Sequence, residues 1–96
     1  MKIVYGVSWI EVEFGQRPEG YSLFLDKEKC IADTKKASEN GPYPGGYCGP
    51  VRPLHYVEIP FDSLEEKVQI VLNAKRECCT DNFWQPKFYS GAVPIK

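Results

Sequence analysis

The chain has 96 residues, with 12 basic and 13 acidic side chains, a formal charge of −1, and 43% hydrophobic and 26% charged residues. That is the composition of one ordinary globular domain, too short for two of normal size and too apolar for a disordered segment. Without a surplus of lysine and arginine it lacks the charge of a general phosphate-backbone binder, and no apolar run approaches the roughly 20 residues of a membrane span.

Lys2 to Phe14 is rich in β-branched and aromatic residues, contains no proline and reads as a long strand. Its alternation changes phase. Ile3, Tyr5, Val7 and Trp9 share one face, whereas Ile10, Val12 and Phe14 fall on the other, with Glu11 and Glu13 opposite them. A β-bulge near Ser8 to Ile10 would restore one continuous apolar face; the alternative is a strand covered on both faces. The acids after Ile10 and the missing small-residue cleavage site argue against a signal peptide, so a soluble, cytoplasmic protein is expected.

Gly15 to Gly20 supplies a turn, with Pro18 stopping the ladder. Tyr21 to Leu25 follows as a second strand, Tyr21, Leu23 and Leu25 facing one way, in an antiparallel hairpin with the first. Asp26 is a good N-cap for a helix from Lys27 to about Glu39, with Leu25 and Cys30 placed for a hydrophobic staple. Cys30, Ile31, Thr34 and Ala37 give that helix only a thin apolar face, and Asn40-Gly41 ends it.

Asn40 to Pro53 holds four of the eight prolines, four of the eight glycines and two of the six tyrosines, a mixture through which no hydrogen-bonded ladder is expected to run. Loops this long inside a domain are usually functional or flexible. Leu54 to Ile59, bounded by Pro53 and Pro60, reads as a third strand whose core face carries His55, Val57 and Ile59 and half-buries the histidine. Asp62 to Cys79 reads as one helix, capped by Asp62 or Ser63 with Glu65 or Glu66 completing a capping box, and apolar along Leu64, Val68, Val71 and Leu72. The final stretch, Thr80 to Lys96, holds Phe83, Trp84, Phe88 and Tyr89; Phe88-Tyr89 suits a short strand and Phe83-Trp84 a core plug. The fold expected for this single domain, residues 1–96, is α+β, in the order ββαβα plus the aromatic tail. Its mixed or antiparallel sheet has three to four strands, with two helices packed on one face.

Catalytic signatures are sparse. Cys48 and His55 are the candidates for a thiol and imidazole dyad, with Glu58 as an orienting carboxylate, yet His55 and Glu58 project to opposite faces of a strand. Glu11 and Glu13 share a strand face, where paired acids hold a hard cation or, more often, line the solvent side. Cys78 and Cys79 are too divergent on a helix, about 100° apart, to act as a vicinal redox pair. The four cysteines lack C-x-x-C spacing and His55 is the only histidine, so neither a zinc site nor another cofactor is expected. Gly45 to Gly49 opens into Pro50 rather than a helix, which deprives it of the dipole of a phosphate cradle.

What remains is a set of contact residues: Tyr43, Tyr47 and Arg52 in the loop, with Arg17 and Trp84 beside them in the inventory. Tyrosine, tryptophan and arginine supply large contact area with a polar handle, and proline in the loop lowers the entropy lost on binding. A larger protein is therefore the expected partner. The same aromatics beside Lys35 and Lys36 suit a nucleic acid or nucleotide as the alternative, and an exposed edge strand allows a homodimer. A loop folded back on its own tyrosines is the non-functional reading.

Gln16-Arg17-Pro18-Glu19-Gly20-Tyr21-Ser22-Leu23-Phe24, followed by Asp26-Lys27-Glu28, resembles the opening of small uncharacterised proteins encoded by phages. The resemblance covers about a third of the chain and contains no catalytic motif. It implies a class of small non-enzymatic accessory proteins, some of which bind and inhibit a host protein. The expectation is accordingly a protein-binding modulator, with a nucleic-acid binder second and a Cys/His enzyme third.

Overall fold

The computed structural model describes residues 2–12, 18–39, 50–81 and 93–95. Strand β1 (Ile3–Glu11) is followed by β2 (Pro18–Phe24), helix α1 (Lys27–Glu39), β3 (Val51–Pro60), a 3-10 turn at Phe61–Ser63, α2 (Glu66–Lys75), β4 (Glu77–Asp81) and β5 (Val93–Pro94). The strands form one sheet in the order β4-β2-β1-β3-β5, with every neighbouring pair antiparallel. The class is α+β as expected, with five strands among the described residues rather than three or four.

β1 is central because both of its alternating residue sets are apolar enough to be covered. Val4 joins Leu23 of β2 and Val57 and Ile59 of β3 on one face, where Val68 and Leu72 of α2 complete the larger core. Val7 joins Phe24 and Cys30 of α1 on the other, flanked by Tyr5, Trp9 and Tyr56. The helices therefore cover opposite faces, which corrects the expectation that both lie on one. The physical reason is that neighbouring residues in a strand point to opposite faces, and in β1 and β2 neither set is polar enough to face water.

The local details follow from side-chain chemistry. Asp26 Oδ1 accepts the Glu28 amide at 3.0 Å, the expected cap of α1. The expected staple between Leu25 and Cys30 does not form, since Leu25 packs on the α2 side and Cys30 on the α1 side. Ile31 is half exposed, so Cys30 and Ala37 are what α1 buries.

Three further boundaries differ from the sequence reading. Pro18 begins β2 instead of stopping it, as proline can at a strand's first residue, and Val51 to Pro53 belong to β3, not to a loop. The long helix expected from Asp62 to Cys79 divides into a turn, α2 and β4. Ser63 Oγ donates to Pro60 O at 2.7 Å, closing the turn instead of capping a helix, and Glu65 caps α2 without a side-chain bond. Lys2 anchors this corner, its backbone O accepting the Phe61 amide and its Nζ reaching Asn73 Oδ1 at 2.9 Å. At the far end Arg76 takes the left-handed conformation, φ 65°, and stops the helix where a glycine usually does. Glu77 to Asp81 then pair with β2. The possible strand at Phe88-Tyr89 and plug at Phe83-Trp84 lie outside the described residues.

Leu64, Val68 and Leu72 are the buried residues of the α2 stripe, whereas Val71 is only half buried. Leu72→Ala is expected to cost about 2–5 kcal/mol, the range for deleting a buried leucine side chain. Val71→Asp should cost less and leave the fold intact. Urea denaturation of the two variants checks the assignment; a larger loss for Val71→Asp would contradict it.

Candidate functional site

The antiparallel register brings one end of every long strand together. Glu11 at the end of β1 lies opposite Val51 at the start of β3, Ile10 opposite Pro18 at the start of β2, and Gly20 opposite Asp81 at the end of β4. Val12, Pro18, Pro50 and Asp81, described residues that border segments 13–17, 40–49 and 82–92 in the sequence, all belong to this end. These segments carry Arg17, Tyr43, Tyr47, Cys48 and Trp84, all outside the described residues. Arg52 lies within β3 at this end, opposite Ile10, and is exposed.

The sheet is irregular just beneath this end. The register with β2 shifts between Trp9 and Ile10, passing over Glu19, and the register with β3 shifts between Ser8 and Trp9, passing over Leu54. A break was expected at Ser8 to Ile10; the additional residues are contributed by the strands on either side of β1. Such shifts bend a strand and re-aim its side chains. Glu11, expected on the solvent side, is fully buried. Glu13, its supposed partner for a cation, lies outside the described residues.

Tyr21, Ser8 and His55 form a row across β2, β1 and β3 on the α2 face. Ser8 Oγ accepts the His55 backbone amide at 3.0 Å, so a side chain satisfies the donor where the ladder is interrupted. At 3% exposure that hydroxyl is a structural acceptor shielded from any substrate. His55 is half buried, and its Nδ1 has no hydrogen-bond partner among the described residues. On the opposite face Trp9 Nε1 donates to Ser22 Oγ at 2.7 Å.

Glu58 does not orient His55. Its Oε2 accepts the Tyr56 hydroxyl at 2.9 Å and lies 3.9 Å from Lys27 Nζ, on the α1 face. Burial, then the hydrogen bond to Glu58, raises the Tyr56 phenol above its ordinary value. Burial likewise pushes the Cys30 thiol up to about 11 and raises Cys78. Lys35 and Lys36 are exposed on α1, and Lys35 Nζ lies 4.0 Å from Glu39 Oε1. Among the described residues no three His, Cys, Asp or Glu side chains gather to hold a metal ion, and no helix is long and apolar enough to cross a membrane.

Ser8 and Glu11 are the buried polar residues among those described; the sequence reading passed over Ser8 and put Glu11 on the solvent side. Ser8 shares the covered face of Val4 by the alternation of β1, whereas Glu11 lies beyond both register shifts. Comparison with protein-family models, with curated proteins and with solved structures gives no match.

The Cys30 thiol implies a pH dependence with a definite sign. Unfolded, it ionises near 9, and folded near 11, so between those values the unfolded chain has lost a proton that the native chain keeps. Stability is whole below pH 9 and falls as the pH rises through that window. Cys30→Ala should flatten the decline, measured as urea midpoints at pH 8 and pH 10.5; equal declines in the two proteins would contradict the assignment.

Proposed function

We propose that this chain is a small non-catalytic protein-binding module, an accessory protein that modulates or inhibits a larger protein, of the kind phages encode against their hosts. The supporting observation is that Val12, Pro18, Pro50 and Asp81, which border the segments bearing Arg17, Tyr43, Tyr47 and Trp84 in the sequence, lie at one sheet end with the exposed Arg52. A hydrogen-bonded sheet gives such segments fixed points of attachment, the usual arrangement in which loops carry recognition and a scaffold positions them. Tyrosine, tryptophan and arginine are the side chains most often dominant in binding energy.

The nucleic-acid reading rests on the adjacent exposed lysines Lys35 and Lys36. It ranks second because Lys35 is paired with Glu39 and the chain's formal charge is −1. A cysteine-histidine enzyme ranks third, since Glu58 and His55 point to opposite faces of β3.

The test is affinity capture from bacterial lysate by the tagged protein, with and without nuclease, beside the Tyr43→Ala/Tyr47→Ala variant. Retention of one protein by the wild type, unaffected by nuclease and lost in a variant of unchanged melting temperature, is the expected result. Retention abolished by nuclease would replace this reading with the nucleic-acid one.

A further inference from the structure

The two helices are fastened to the sheet in different ways. α2 sinks Val68 and Leu72 into the larger core, and backbone bonds fix the chain on either side of it: the Phe61 amide donates to Lys2 O at 2.9 Å, and the Leu25 amide to Arg76 O at 3.0 Å. α1 is longer, 13 residues against 10, yet the residues it buries are Cys30 and Ala37. Of these, Cys30 joins the small cluster of Val7 and Phe24. A cysteine and an alanine bring little apolar area, so burial holds this helix weakly for its length.

What α1 has besides is charge. Lys29 Nζ lies 3.4 Å from Asp33 Oδ2 on the same helix and 3.4 Å from Glu77 Oε2 on β4. Lys27 Nζ lies 3.9 Å from Glu58 Oε2 on β3 and 6.0 Å from the centre of the Tyr5 ring on β1. Both lysines belong to the first turn, and they reach strands on either side of the sheet. The four partners Lys27, Lys29, Glu58 and Glu77 are each about half exposed, where an ion pair contributes little. The later turns carry Ala37 as their buried residue, and Lys35 pairs within the helix, with Glu39. Just before the helix, Leu25 is tied to Arg76, while β2 has already ended at Phe24. Turning about Leu25 and Asp26 therefore breaks no ladder bond of the sheet.

We propose that α1 is a hinged cover, held shut by Lys29 on Glu77 and Lys27 on Glu58, that lifts as one unit from a sheet left folded beneath it. Opening bares Val7 and Phe24 and joins them to the strip of partly buried Tyr5, Trp9 and Tyr56. The opposite face stays closed, because its core draws on α2 and not on α1. Cys30, with no exposure in the closed state, reports the motion.

The test is labelling of the native full chain with iodoacetamide at pH 8, read at Cys30 by mass spectrometry of its peptide, across urea concentrations below the unfolding transition. Cys30 is expected to react at least about ten-fold faster than global unfolding alone allows, with under about half the urea dependence of the global transition, because opening exposes only the surface beneath α1. Glu58→Gln/Glu77→Gln removes both latch charges from the sheet, leaves the helix sequence intact and keeps an acceptor for the Tyr56 hydroxyl. It should speed labelling of Cys30 about three-fold or more at an unchanged urea midpoint. The wild-type urea series decides even where the double variant is unstable. Labelling of Cys30 with the full urea dependence of global unfolding, or an equal rate in a folded double variant, would overturn the inference.

Discussion

The structure depends on covering a central strand from four directions at once. β1 is paired on both edges and buried on both faces, and Gly6 is where the fit is tightest. A Cβ at that position would stand 3.2 Å from Ile59 Cδ1, Leu23 Cδ2 and Val57 Cγ1, so three branched side chains fill the space that any other residue would claim. Closure over Gly6 lets the strands on either side bring their aliphatic residues together beneath Val68 and Leu72. Glycine ordinarily weakens a strand; here its missing side chain is what allows the α2 core to close.

From that centre the rest of the arrangement follows. The α1 face is thinner, with Val7, Phe24 and Cys30 buried and Tyr5, Trp9 and Tyr56 only partly so. Polar tips there are used locally, Trp9 bonding Ser22 and Tyr56 bonding Glu58. Toward the end of the sheet that holds Glu11, Pro18 and Val51 the aliphatic packing gives way to the row of Tyr21, Ser8 and His55 and to buried Glu11, where register shifts interrupt the ladders. A regular sheet therefore ends in an irregular, polar interior.

Much of this was legible in the sequence because it follows from short-range rules. The Asp26 cap, the bounds of α1, the shared face of Tyr21 and Leu23, and the core face of His55, Val57 and Ile59 all stand. The errors arise where tertiary pairing decides. No glycine or proline separates Lys75 from Thr80, so a helical stripe reads through it, yet Arg76 turns left-handed and Glu77 to Asp81 find β2. Arg52 and Pro53 look like loop residues, but among the described residues β5 pairs with His55 and Tyr56 and not with Pro53, and a proline is tolerated where its missing N–H is not needed by the ladder. The helices lie on opposite faces because β1 and β2 are apolar on both. The sequence already allowed a strand covered on both faces, and the bulge reading concealed it. At the candidate site, residue types singled out Arg17, Arg52, Tyr43, Tyr47 and Trp84, of which Arg52 alone lies among the described residues, and the burial of Glu11 was not legible from its charge.

Residue-resolved native-state hydrogen exchange tests the central claim most directly, since exchange from the most protected amides reports global unfolding and exchange from edges reports local opening. The amides of Val4 to Ser8 in β1 should be the slowest in the protein, and those of β4, at one side of the sheet, among the fastest within it. Exchange in β1 as rapid as in β4 would contradict a fold built around a doubly covered central strand.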